Sequence, residues 1–201
     1  MTSSFLALGD SYTIGEGAEP EDRWPVQLVA ALRTRGIGVA DPEIVAKTGW
    51  TTDELLSEIE NRSISGQWDL VSLLAGVNDQ YRGYGVRSYE QTFSDLLARA
   101  LSFAKLPSRL IVLSIPDWGV TPFAASRDGV AVAAEIDAFN AVAERLSRRE
   151  GARFIDITPV SRLAATDTSL LVSDGLHPSG AMYRMWVEQV LPAAVSALAE
   201  K

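Results

Sequence analysis

Two runs of almost unbroken apolar residues constrain this chain most: residues 70–75 (Leu-Val-Ser-Leu-Leu-Ala) and 110–115 (Leu-Ile-Val-Leu-Ser-Ile). A strand with one wet face alternates apolar and polar side chains, whereas a strand covered on both faces has no need to. Both runs therefore predict inner strands of a parallel sheet. Shorter runs at 5–8, 43–46 and 153–157 bring the set to five. Between them lie segments with helical spacing at 24–35, 51–61, 88–105, 130–149 and 179–199. In 88–105, Phe93, Leu96, Leu97, Ala100, Leu101 and Ala104 recur at three- and four-residue steps along one face. Thr51 and Glu54 have the form of a capping box at the start of the second helix. Pro192 predicts a kink or a division in the last one.

Strand–helix alternation along the whole chain means a parallel sheet with helices on both sides. In such sheets ligands bind beyond the carboxyl ends of the strands. Functional residues are therefore expected just after a strand. No internal repeat, low-complexity tract or linker interrupts the pattern. With 201 residues, 47% of them hydrophobic, one domain over 1–201 is expected.

The charge balance narrows the partners. Lys and Arg number 18 against 26 Asp and Glu, a formal charge of −8. An acidic surface argues against nucleic acid, whose phosphates need clustered cations. No apolar stretch approaches the length of a membrane span. The first residues have no basic region followed by a long apolar run, so a cytoplasmic location is expected. Cysteine is absent, which excludes a thiolate nucleophile, a disulfide and a cysteine–zinc site. With a single histidine as well, a structural zinc site is not expected; an oxygen-ligand site for magnesium or calcium stays open, though no EF-hand loop appears, and no organic cofactor is expected.

That histidine, His177, is the one side chain whose ordinary pKa suits acid–base work near neutrality. Asp174 lies three residues before it and can hold the imidazole in one tautomer. Ser11 follows the first strand, in Gly9-Asp10-Ser11-Tyr12, and a serine hydroxyl becomes a nucleophile when a base takes its proton. Gly49 follows the second strand, where a glycine lets a substrate approach a backbone N–H. Asn78, in Gly76-Val77-Asn78-Asp79, follows the third and carries an amide that can donate to a developing oxyanion. Each alone is equally a turn or cap residue. Together, all lying after strands or before the closing helix, they supply the parts of an acyl-transfer site.

Gly9-Asp10-Ser11, Gly49, Gly76-x-Asn78 and Asp174-x-x-His177 resemble the SGNH, or GDSL, hydrolases, with all four blocks in the family's order. The resemblance implies a flavodoxin-like α/β/α sandwich with a five-stranded parallel sheet, and metal-free esterase or lipase chemistry. It implies Ser11 as nucleophile, His177 as base then acid, and Asp174 as its orienting partner. The oxyanion hole would comprise the backbone N–H groups of Ser11 and Gly49 and the side chain of Asn78. Tyr12 departs from the family, where leucine is common. No Gly-x-Ser-x-Gly elbow occurs, so the ordinary α/β-hydrolase arrangement is not implied.

Trp50, Tyr81 and Trp118, with Tyr84 and Phe123, follow strands and are expected as apolar walls for substrate. Trp24, Trp68 and Trp186 fall within helix and strand patterns and are expected in the core. Arg82 and Arg87 read as solvated surface charges, with contact to a substrate carboxylate or phosphate as the alternative. A small-molecule ester is the expected partner, with a short acyl group on a small alcohol or carbohydrate. A lysophospholipase or thioesterase, an acyltransferase using the same site, and a non-catalytic binding protein remain alternatives.

Overall fold

One parallel sheet organises residues 2–200, the part of the chain that the computed structural model describes. Its strands are β1 (Phe5–Gly9), β2 (Glu43–Ala46), β3 (Leu70–Leu74), β4 (Leu110–Leu113) and β5 (Arg153–Ile155), in the order β2-β1-β3-β4-β5. The inner strands β1, β3 and β4 are buried at every residue, as their continuous apolar runs require. Three expected strands end early: β3 at Leu74, β4 at Leu113 and β5 at Ile155. Beyond β4 the Ser114 N–H still reaches the Ile155 carbonyl, and pairing stops at Ile115, whose backbone groups are taken over by Asn140. Its Oδ1 accepts the Ile115 N–H at 2.7 Å and its Nδ2 donates to the Ile115 carbonyl at 3.1 Å.

The connections carry α1 (Ser11–Ile14) and α2 (Trp24–Thr34) after β1, and α3 (Thr52–Asn61) after β2. They continue with α4 (Val77–Tyr81) and α5 (Val86–Phe103) after β3, and α6 (Gly129–Arg149) after β4. Last come α7 (Thr158–Ser161) and α8 (Gly180–Ala199) after β5. Helix α2 packs on α8, while α5 packs on both α3 and α6. The strand order explains this division. The chain leaves β1 towards β2, then returns past β1 and runs outward through β3, β4 and β5. Right-handed crossovers then set α2 on one face and α3, α5 and α6 on the other. The result is the three-layer α/β/α sandwich.

Pro192 does not divide the last helix. Helix α8 runs unbroken through it. The proline removes one backbone hydrogen bond, but Val187, Val190, Leu191, Ala194 and Ala197 are buried on both sides of it and hold the two halves together. Trp24 and Trp186 are fully buried core residues. The short helices α1, α4 and α7 have four or five residues. They are too short to show a helical period in sequence, and two of them shape the site. Among the described residues, no helix is long and apolar enough to cross a membrane.

Candidate active site

The chain's connections turn in opposite directions after β1 and β3, and the crevice at that switch point is where such sheets bind ligands. Ser11 lies at the end of β1 and Asn78 at the end of β3, so the topology places them side by side. Asp10 caps α1 by accepting the Tyr12 N–H on Oδ1 at 3.0 Å. Gly15, in the left-handed region, closes the same turn with its N–H on the Ser11 carbonyl. Ser11 is thus the first residue of a tight helical turn. Its own N–H has no acceptor among the described residues.

His177 reaches Ser11 from the far end of the sequence. Its loop is pinned by a bridge between Leu171 and Pro178 and by the Val172 N–H on the His177 carbonyl at 2.8 Å. His177 Nε2 lies 3.0 Å from Ser11 Oγ, and Nδ1 lies 2.7 Å from Asp174 Oδ2. The other Asp174 oxygen accepts the backbone N–H groups of Leu176 (2.8 Å) and His177 (3.0 Å). Partial burial pushes the Asp174 carboxyl up, but the His177 side chain and the two backbone donors outweigh that and hold it below the usual carboxylate range. An ionised carboxylate only accepts, so Nδ1 carries the imidazole proton. Nε2 is left with a lone pair towards the Ser11 hydroxyl.

Opposite His177, α4 holds the turn at Gly49. Asn78 Nδ2 donates to the Trp50 carbonyl at 2.8 Å, which leaves its second hydrogen for the cavity. Arg82 follows Asn78 by one helical turn and donates from Nη2 to the Gly49 carbonyl at 2.6 Å. Its guanidinium also grips both oxygens of Glu54, at 3.0 and 3.1 Å. The same carboxylate accepts the Thr51 N–H at 3.0 Å, the acidic half of the capping box that starts α3. The Arg82 hydrogen bonds hold Glu54 below the usual carboxylate range. Asp79 is buried between these elements and accepts the Thr52 N–H and hydroxyl at 3.0 and 2.7 Å. Gly49 itself has φ +85°, and its N–H has no acceptor among the described residues. Gly76, at φ +128°, starts α4 where an added Cβ would lie 2.6 Å from Tyr89. Only glycine fits there.

The cavity above Ser11 has a volume of about 160 Å³. Ser11, Gly49, Asn78 and His177 form its base, and Tyr12, Val77, Tyr81, Trp118, Phe123 and Leu176 its walls. Tyr81, Trp118 and Phe123 pack on one another with ring centroids 5.3–6.2 Å apart. The Trp118 indole N–H donates to Gln80 at 2.8 Å, which fixes its ring. The Tyr12 ring lies 5.4 Å from the His177 ring and is tilted by 54° to it.

The structure thus brings Ser11, Gly49, Asn78, His177, Tyr81 and Trp118 to one cavity, with Asp174 outside its lining and bonded to His177. Trp50 and Tyr84 are not among its walls. The left-handed turn at Gly49 aims the next side chain the other way, so Trp50 faces an adjoining groove and serves the site through its carbonyl. Arg82, expected as a solvated charge, is tied to Glu54 and Gly49. Its spacing of four from Asn78 on a helix is the signal that points to it.

The sequence matches the GDSL-like Lipase/Acylhydrolase family over residues 7–185. Among solved structures, a member of the lipolytic protein G-D-S-L family from Veillonella parvula is similar, with a TM-score of 0.76 and 16% identity over 94% of this chain and 96% of that one. TesA is similar with a TM-score of 0.76 and 19% identity over 96% of this chain and 99% of that one. Axe2, an acetylxylan esterase from Geobacillus stearothermophilus, is similar with a TM-score of 0.71 and 19% identity over 99% of this chain and 95% of that one. No curated protein matches the sequence.

Proposed function

Because the chain belongs to the GDSL-like lipase/acylhydrolase family, and so is a hydrolase of ester bonds, we propose that it is a serine esterase for short acyl groups working through Ser11, His177 and Asp174. The observation that carries this reading is the line of two contacts, Ser11 Oγ to His177 Nε2 at 3.0 Å and His177 Nδ1 to Asp174 at 2.7 Å. Ser11 Oγ attacks the ester carbonyl as its proton passes to Nε2. The carbonyl oxygen becomes an oxyanion between the Ser11 N–H, the Gly49 N–H and the free Asn78 hydrogen. Its collapse breaks the bond to the alcohol, which leaves with the proton from Nε2. Water then repeats the sequence on the acyl-enzyme, with His177 again as base. Asp174 stays ionised and stabilises the imidazolium.

The acyl preference rests on the cavity. Drug-sized ligands occupy roughly 300–1,000 Å³, whereas this cavity has about 160 Å³. That is about five times the share of one water in the liquid, enough for acetyl to butyryl groups. The test is hydrolysis of p-nitrophenyl acetate, butyrate and octanoate by the wild type and Ser11→Ala between pH 5 and 9. The expected result is a preference for the two shorter esters and a fall of at least about 10⁴-fold in Ser11→Ala. Equal activity in Ser11→Ala overturns the serine mechanism, and a preference for octanoate overturns the short-acyl reading.

A further inference from the structure

The acyl cavity leaves the alcohol half of an ester unhoused, and a second depression begins where the cavity ends. It shares Thr48 and Gly49 with the cavity and continues over Trp50 and the exposed side of α3, with a volume of about 410 Å³. Resting on the serine-esterase reading above, we infer that this groove binds the alcohol portion of the substrate, and that this portion is a neutral polyhydroxylated ring such as a sugar.

Three features carry the assignment. The first is position. An ester bound at Ser11, its acyl group against Trp118 and Phe123, must send its alcohol past the oxyanion donors, and the groove opens at Gly49. The second is the aromatic. Trp50 is the one aromatic residue in the groove's lining and is only half-buried. A rigid aromatic face with a polar edge offers contact area at little entropic cost and suits a ring with apolar C–H faces. The third is the polar set. Lys47, Asp53, Ser57 and Asn61 are exposed along the groove and offer donors and acceptors together.

Charge selects the class. Arg82 is already paired with Glu54, and Glu58 with Arg62. Of the remaining lining groups, Lys47 and Asp53 cancel. The groove therefore presents hydrogen-bonding groups with no surplus cation for a phosphate or carboxylate. An alkyl alcohol, for its part, would leave those groups unused. A site that hydrogen-bonds hydroxyls discriminates against analogues lacking them. The Trp50 carbonyl is held by Asn78 of α4 and the Gly49 carbonyl by Arg82 at the end of that helix, so the groove floor and the oxyanion hole are one braced unit.

The test compares an acetylated methyl glucopyranoside with ethyl acetate, whose alcohol is too small to reach Trp50. The wild type is expected to favour the sugar ester in kcat/KM by at least about tenfold, or 1.4 kcal/mol. Trp50→Ala is expected to bring that ratio close to one and Trp50→Phe to restore most of it. Ser57→Trp, which fills the groove from an exposed helix position with little risk to folding, is expected to collapse the ratio as well. A ratio unchanged in Trp50→Ala and Ser57→Trp, or a wild-type preference for ethyl acetate, overturns the assignment. If the wild type hydrolyses neither ester, the esterase reading fails, and binding of methyl glucopyranoside seen by saturation-transfer NMR decides the groove. Binding lost in Ser57→Trp supports it, and no binding to the wild type overturns it. Tighter binding of glycerol phosphate than of the glucoside also overturns it, because the groove would then be an anion site.

Discussion

Two aspartates flank the Ser11–His177 pair, one in each of the loops that meet there, and their surroundings drive them apart. Asp174 is partly exposed and spends both oxygens on three donors from its own loop. Its carboxyl is held below the usual range. Asp10 is fully buried beneath the Ser11 turn, with Oδ1 on the Tyr12 N–H and Oδ2 without a partner. Burial pushes its carboxyl up to about 7, against the pull of the Tyr12 N–H. One residue type thus serves as an ionised partner for an imidazolium in one loop and, in the other, as a cap that takes up a proton as pH falls through about 7. Solvation and donor count decide the difference, as they do wherever neighbouring carboxyls divide their roles.

The largest expected effect separates the two loops outright. Asp174→Asn keeps an amide oxygen for the Leu176 and His177 N–H groups and turns an NH₂ donor towards Nδ1, so the imidazole proton moves to Nε2 and kcat is expected to fall by about 10⁴-fold, measured on p-nitrophenyl acetate. Asp10→Asn is expected to leave kcat close to wild type, since the amide oxygen still caps Tyr12. A large loss there and none in Asp174→Asn would reverse the comparison.

The second effect is on stability. Asp10 has a raised pKa in the folded state, so the folded chain binds its proton more tightly than the unfolded chain does. Its contribution is fully present below about pH 4 and is lost as pH rises through about 7. The shift is worth on the order of 4 kcal/mol. Asp79, also raised by burial, adds in the same direction. Asp174 has the opposite sign: its contribution is present above the usual carboxylate range and is lost as pH falls below it. Urea unfolding at pH 4 and pH 8 is expected to show the wild type more stable at pH 4. Most of that difference should vanish in Asp10→Asn.

Smaller effects carry the same contrast between touching and holding to the other side of the site. Asn78→Ala removes one oxyanion donor and is expected to lower kcat by about 10²-fold, or roughly 3 kcal/mol. KM and the folded state should change little. Arg82→Ala touches no reacting atom, frees the Gly49 carbonyl and the Glu54 carboxylate, and is expected to lower kcat by about tenfold, on the scale of one charge-assisted hydrogen bond. Added guanidinium should recover part of the loss, which a general loss of folding would not allow.

Much of this was legible in the chain. The buried strands announce themselves as unbroken apolar runs, and the long helices by their three- and four-residue recurrence. Asp174 and His177 touch across three residues, so their contact is local. Thr51 and Glu54 likewise form their cap within one turn. Other features needed the fold. Trp50 follows Gly49 directly, yet the left-handed turn at Gly49 sends its side chain into the groove and its carbonyl to Asn78. Arg82 looks like any surface cation until α3 and α4 lie side by side and Glu54 meets it. The role of Asn140 at the end of β4 is equally invisible without α6 packed against the sheet.

The five strands and the long helices were readable in the chain alone, because period and burial are local properties of a chain that must cover both faces of a sheet. The sequence by itself also determined the chemical types available: one imidazole, a serine after the first strand, no thiol. The tertiary structure decided which of these meet. The distance between residues 11 and 177, the lack of a hydrogen-bond partner for Asp10 Oδ2 among the described residues and the facing of Trp50 follow from strand order and the switch point between β1 and β3. Those are set by the packing of the whole chain, since contacts between residues far apart in sequence depend on every element between them.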